Sequence, residues 1–492
     1  MPGYRESGTR KEEVKMNVPL IIVICYIIFL MLVSVFSVKL VKKDKAGFLL
    51  AGRSWPWYMV AFMLTGLAVG GASTIGAAQR AFENGMGAGF YTVAWGFGAI
   101  AMGLFGASRW RKMNVTTIAE MFGQYYTPSA RVISVFIQFI IVMATACLQF
   151  VAGGALLSSM LPEYFTMFSG SLLTAVVFVL IAFIGGLWAG GLANLINVVI
   201  IWVGIVVGTF AAINLAGGQA VILQKLPAGI DYFSLTEGLG LGIILAWFIV
   251  FIMVPMSHQA VIQVGFAAKT PKHSKWGYII GGLLMAPLGF FAAYIGIAAK
   301  SMFPDIQSVQ ALPTIIMQTS PVISGLTLSG LWAADISTGV ALLTSSATLL
   351  QRDIYEWSLE RKGKEINHDK SVWVSRILIL TLGVVGFLMA LKLTAIIKTL
   401  LFVLSLCAPF TIIFLFTVYA PKFCKKQAAF WTVLVGLILA AVWAFVPGFA
   451  KMFQGVGLIH PVYMEVVITL PLFVILNLLF KDKIPTPQFA DE

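Results

Sequence analysis

Residues 331–355 read LWAADISTGVALLTSSATLLQRDIY. The stretch is apolar enough to enter a bilayer, yet it carries Asp335, Ser337, Thr338, Thr344, Ser345, Ser346 and Thr348. An acid and a run of hydroxyls are costly in hydrocarbon, so they are expected to face protein, water or an ion. The charged stop Gln351-Arg352-Asp353 sets the helix end at a water interface. Ser337 and Thr338 lie about one helical turn beyond Ala334, so a free carbonyl at 334 and two hydroxyls can converge on one hard cation. A second reading stands beside it, in which the hydroxyls bond back to carbonyls one turn earlier, as Ser and Thr do in membrane helices.

The rest of the chain puts this helix in a membrane. Of 492 residues 59% are hydrophobic and 11% charged, and the mean hydropathy is +0.94, which excludes an ordinary soluble protein. Apolar runs of about 20 residues recur, each long enough to span a bilayer. They fall at 17–41, 57–81, 87–107, 130–160, 169–188, 192–216, 237–257, 276–299, 322–350, 372–391, 395–419, 427–446 and 461–480. The expectation is an all-α integral membrane protein of about thirteen helices, with a polar tail over 1–16, one transmembrane domain over 17–480 and a short tail over 481–492. Cys25, Cys147, Cys407 and Cys424 include no CxxC pair, so neither a disulfide framework nor a thiolate metal site is expected. There is no phosphate-binding loop, no Ser-His-Asp order and no zinc spacing to support an enzyme.

The net charge of +13 concentrates in alternate loops, among them those holding Lys42 and Lys43, Arg109 to Lys112, Lys269 to Lys275, Arg361 to Lys370, Lys422 to Lys426, and Lys481 with Lys483. The positive-inside rule makes this basic face cytoplasmic, with the N-terminus outside and the C-terminus inside. The charge is therefore topology rather than a nucleic-acid footprint, and the partners expected are lipid and a small molecule.

Two spans carry helix breakers. AFMLTGLAVGGASTIGAAQRAFENG (61–85) holds Gly66, Gly70, Gly71 and Gly76, read either as a close-packing surface or as a helix broken at mid-membrane. Five spans later FIVFIMVPMSHQ (248–259) places Pro255 inside a span, where it removes a backbone bond. Interrupted segments at matching places in two halves point to an inverted-repeat transporter with its site at the midplane. The repeats would cover about 57–216 and 237–419, leaving one extra helix before and two after.

At this point the chain resembles the sodium:solute symporter family. FLLAGRSWPWY (48–58), VTTIAEMFGQYY (115–126), HQAVIQVGFAAKTPKHSKWG (258–277), FPDIQSVQALP (303–313) and STGVALLTSSATLLQRDIY (337–355) are similar to its motifs, in order and on the expected sides. The resemblance implies a LeuT-type fold of two five-helix inverted repeats and sodium-coupled uptake of a small solute at the plasma (inner) membrane, with no cofactor besides the coupling ion. It implies a sodium site of carbonyls at Gly66 and Val69, the carbonyl of Ala334, and the hydroxyls of Ser337 and Thr338. Three departures stand out: Ala193-Asn194 where relatives often have a Thr-Asp pair, Val264 where Arg is common, and Thr92, Thr145, Phe251 and Leu401 where sugar carriers place polar contacts, so a sugar is not expected.

Other residues carry paired readings. Asp335 tunes the sodium site, holds a second cation or takes a proton, or else pairs structurally across the bundle. With the neutral Asn194 where an acid is usual, Asp335 is read as supplying the missing charge from the other wall. Arg80 receives a substrate carboxylate or pairs with Glu83. Ser73 and Gln149 are candidate pocket polars, and His258 is a helix-end residue or a proton relay. Sodium-coupled symport is the expected function; proton coupling through Asp335 and a transporter-like sensor are the alternatives.

Overall fold

The computed structural model describes residues 17–39, 45–392, 396–446, 448–454 and 460–487. The polar head 1–16, Lys42 and Lys43, the last five residues of the tail and the side chain of Leu401 lie outside that set. The described chain is helical, with two isolated bridge pairs and no strand.

The main helices are α1 (Val18–Ser37), α2 (Trp57–Ala68), α3 (Ile75–Asn84), α4 (Phe90–Phe105), α5 (Ile118–Tyr125), α6 (Pro128–Met160) and α7 (Met167–Leu215). They continue as α8 (Leu241–Ser257), α9 (Gln259–Phe266), α10 (Pro271–Met285), α11 (Leu288–Met302), α12 (Pro321–Leu350), α13 (His368–Ala390), α14 (Ile396–Ser405), α15 (Cys407–Tyr419), α16 (Ala428–Phe445) and α17 (Pro461–Leu479). Ten described helices are long and apolar enough to cross a membrane, eleven when the bent pair α8 and α9 is taken as one span. The expected count of about thirteen differs for a physical reason. The 49 residues of α7 would run about 73 Å at 1.5 Å per residue, twice a bilayer's depth, yet its helix is uninterrupted except at Gly186, whose φ of 54° and ψ of −137° turn the chain. Conversely, the 57–81 span is split between α2 and α3, each too short to cross alone.

At the centre stands α12, the helix of the hydroxyl run. Ser320 caps it through the Ile323 N–H, with Pro321 in its first turn, where a missing N–H costs nothing. It packs against α7, α6 and α1, and every residue from Thr327 to Leu349 is buried. Within this apolar shell Ser324, Thr327, Thr344, Ser346 and Thr348 bond backbone carbonyls, while the hydroxyls of Ser329 and Ser345 have no hydrogen-bond partner.

On the basic face four of the five sequence motifs, all but that at 303–313, interlock. Trp55 of the AGRSW loop pairs with Ala268 of the AAK loop, its N–H bonding Ala267 O at 2.9 Å while Lys269 N–H bonds Trp55 O at 2.8 Å. Gln263 donates to Leu49 O (2.8 Å) and Thr348 Oγ1 (3.0 Å), and Gln259 accepts from Ile118 N–H (2.9 Å). Asp353 at the end of the hydroxyl helix takes Arg131 (2.7 Å) and Thr117 Oγ1 (2.6 Å), while Arg352 pairs with Glu120, Glu356 and Glu360. These motifs build one scaffold holding both broken helices and α12 at a common end.

Candidate functional site

Helix α2 ends because residues 69–74 are rich in small and hydroxyl side chains, and α12 and α6 supply the partners the backbone loses there. Val69 leaves the helix at φ −95°, ψ 72°, with its N–H still on Thr65 O. Ser73 Oγ then bonds Ala68 O at 2.8 Å, and Thr74 Oγ1 bonds Gly70 O at 3.3 Å. Close approach explains the glycines. A Cβ on Gly66 would lie 2.6 Å from Asn194 Nδ2, and one on Gly71 would lie 2.8 Å from Asp335 Oδ1.

Across this break α12 brings its hydroxyls. Ser337 Oγ bonds Gly66 O at 2.7 Å and Ala334 O at 2.8 Å. Thr338 Oγ1 reaches Gly66 O and Leu67 O at 3.1 Å and Ala334 O at 3.0 Å. Both readings of the hydroxyl run are thus present in one place: the hydroxyls bond back to Ala334, one turn earlier, and also reach across to the broken helix. The structure brings together Gly66, Ala334, Ser337 and Thr338. The second carbonyl these hydroxyls reach is that of Leu67, which the sequence reading did not name; Val69 sits two residues further, where the half-helix gives out. Leu67 was unreadable because the carbonyl presented depends on where the helix stops, not on a side chain.

Asp335 faces the middle of the break. Its Oδ1 accepts the Gly71 N–H at 2.7 Å, an N–H also approached by Gln149 Oε1 at 3.4 Å, while Oδ2 is buried without a hydrogen-bond partner. Asn194 serves the Gly66 end: its Nδ2 lies 3.1 Å from Met63 Sδ, and Asn197 and Tyr26 continue the chain behind it. The two candidates therefore address different parts of the broken span, the last turn of α2 and the middle of the break.

Beside the break lies a cavity of about 30 Å³, room for a few waters at most. Thr338, Gln149, Thr145, His258, Tyr91 and Trp95 line it, together with aliphatic side chains, Gly70 and Ala72. A solute enters only when these walls part. His258 arrives because α8 runs through Pro255 and stops at Ser257, with α9 turned by 49°. Pro255 has no N–H to give Phe251 O one turn earlier, and just beyond it Ser257 Oγ (3.1 Å) and Thr411 Oγ1 (2.7 Å) both donate to Met253 O. His258 is buried, and its Nδ1 has no hydrogen-bond partner. Tyr91 and Trp95 form an aromatic wall backed by Phe251, at ring centroid distances of 5.0 and 4.7 Å. Neither aromatic carried a sequence signal that separates a cavity wall from ordinary packing.

The other candidates, Thr145 excepted, lie apart from the cavity. Thr92 is spent on backbone, donating to Ala286 O (2.7 Å) and accepting Gly289 N–H (2.9 Å). Phe251 stands one layer behind the cavity, and Ser73 closes the end of α2. Arg80 lies 3.7 Å from Glu83 in a half-exposed pair at the outer part of α3. Thr145 lines the cavity with its hydroxyl on Ile141 O at 2.7 Å.

A model of the Sodium:solute symporter family matches residues 48–436. The chain is 23% identical to the sodium/glucose cotransporter 4 of Danio rerio, over 86% of this chain and 70% of that one. It is 24% identical to the sodium/pantothenate symporter of Haemophilus influenzae, over 73% and 76%. Among solved structures it is similar to a Na+-coupled sialic acid symporter in a substrate-bound outward-open state, with a TM-score of 0.76 at 17% identity, covering 95% of this chain and 99% of that one. The fold is LeuT-like, and the matching proteins are multi-pass membrane transporters, not enzymes.

Proposed function

This chain belongs to the sodium:solute symporter family, and on that premise we propose that it takes up a small organic solute together with sodium by alternating access. The observation that carries the reading is the meeting of Gly66 O, Leu67 O, Ala334 O, Ser337 Oγ and Thr338 Oγ1 at a helix break, within 2.7–3.1 Å of one another along their hydrogen bonds. Five neutral oxygens suit a monovalent cation that must bind and then leave. Ion and solute would be linked because Thr338 belongs to both the oxygen cluster and the cavity wall.

Counting α7 as two crossings and each broken or bent helix as one gives about thirteen spans, with α2–α3 and α8–α9 at matching places in two five-span repeats. The basic loops put the N-terminus outside, which an accessible tag at Met1 in intact cells would check. The test of function is sodium-dependent thermal stabilisation and uptake by the purified protein in liposomes. Thr338→Val and Ser337→Ala are each expected to raise the sodium concentration needed by about tenfold or more. Stabilisation equal in sodium and potassium, in the unmodified protein, would sink the proposal.

A further inference from the structure

The N–H groups exposed where a broken membrane helix restarts are a natural seat for an anionic group of a solute. In this protein the Gly71 N–H, freed inside the break four residues before α3 begins, is taken by the protein itself, since Asp335 Oδ1 holds it at 2.7 Å. A carboxylate brought by the solute would meet that anion at the same amide, in surroundings that screen the repulsion poorly.

The remaining oxygen of Asp335 is the second observation. Asp335 is fully buried, Oδ2 has no hydrogen-bond partner, and no described cationic side chain lies within ion-pair distance of it. A buried carboxylate left this way is costly unless it takes up a proton or a positive group from outside the chain pairs with it. Asp335 stands one layer behind the cavity wall, at Gly71, and the two neighbours of Gly71, Gly70 and Ala72, line the cavity, as does Gln149, which approaches the same N–H. The third observation is the lining. It includes no Lys, Arg, Asp or Glu, and it presents Tyr91 and Trp95, whose ring faces attract cations.

We propose that the solute carries a positively charged nitrogen, and that Asp335 is the specificity-determining residue that matches its charge while Tyr91 and Trp95 hold its apolar part. This deepens the uptake reading and rests on it. A solute bearing only a carboxylate finds the amide occupied and no cation in the lining. A neutral solute leaves Asp335 unpaired.

The test uses the full-length protein in sodium buffer and three probes of one carbon skeleton: propylammonium, propionamide and propionate. Propylammonium is expected to raise the melting temperature at concentrations about tenfold below those the other two need. In Asp335→Asn, which keeps an oxygen for the Gly71 N–H, this preference is expected to vanish. Any order in which propylammonium is not first overturns the proposal, and so does an ammonium preference that survives in Asp335→Asn. The ranking in the unmodified protein decides even if the variant fails to fold. Loss of sodium stabilisation in Asp335→Asn without any ammonium preference in the unmodified protein would give Asp335 to the sodium ion instead, which also overturns the proposal. A separate arm replaces sodium by potassium in the unmodified protein: no difference there counts against the symport reading, whatever the probe ranking.

Discussion

Between Ala68 and Ile75 residues 69–74 leave the helix, whereas between Ser257 and Gln259 only His258 does. The wide break has its backbone groups answered by side chains that can exchange them for something else: Ser337 and Thr338 on Gly66 and Leu67, Asp335 and Gln149 on Gly71. The narrow break is answered by groups with no such alternative. Gln138 Oε1 takes the Gln259 N–H at 3.1 Å, Gln259 itself bridges to Ile118 and Thr116, and Trp110 Nε1 donates to Met256 O at 2.9 Å. A broken membrane helix must replace every hydrogen bond it gives up. The nature of the replacements separates a break that handles cargo from one that shapes the wall beside it.

The contrast fails or sharpens under four substitutions. Gly71→Val is expected to have the largest effect, because even a Cβ there meets Ala152 and Asp335; overpacking of about 3 kcal/mol should leave little folded protein, read by yield and size exclusion. The double variant Ser337→Ala with Thr338→Val should fold with a near-normal melting temperature and need roughly a hundredfold more sodium for stabilisation, about tenfold per lost ligand. A double variant with normal sodium affinity would put the cargo elsewhere.

Gln259→Ala, at the narrow break, should behave oppositely. Leaving the Ile118 N–H and the Thr116 carbonyl unanswered is expected to cost about 1–3 kcal/mol of stability while the sodium requirement stays within about twofold. The smallest effect belongs to Glu120, which anchors the loop beside that break. Burial pushes its carboxyl up, but the Arg352 guanidinium and the Thr116 N–H pull it further down, so it sits below its ordinary 4.5. Its stabilisation is therefore complete above about pH 4.5 and is lost as acid protonates it in the folded state. Melting curves between neutral pH and pH 3 should show a loss of about 1 kcal/mol or less that Glu120→Gln no longer shows.

Much of this is legible in the sequence because membranes punish polarity and broken backbone. Hydroxyls and an acid inside an apolar run single out α12, and glycines at 66, 70, 71 and 76 single out the wide break. The meeting of Gly66 with Ser337 and Thr338 follows from those two signals once the family resemblance sets the register. The narrow break is harder to read, because Pro255 is the visible breaker while the helix actually stops at Ser257. The partnership of Asp335 with Gly71 spans 264 residues and no local pattern records it. His258 is the helix-end residue that one reading made it, and its place beside the cavity depends on the 49° turn that follows it. Tyr91 and Trp95 carry no pattern that distinguishes a cavity wall from packing.

The 264-residue separation also bears on how the protein is made. At about 5–20 residues per second, translation needs roughly 13–50 s to pass from Gly71 to Asp335. Throughout that interval the wide break has been synthesised while the Gly66 and Leu67 carbonyls and the Gly71 amide are unanswered by α12. A nascent chain in this condition has to keep its first interrupted span near water or the insertion machinery until α12 arrives. Chains arrested before residue 331 should accordingly be held there, and those arrested after Thr348 emerges should be released.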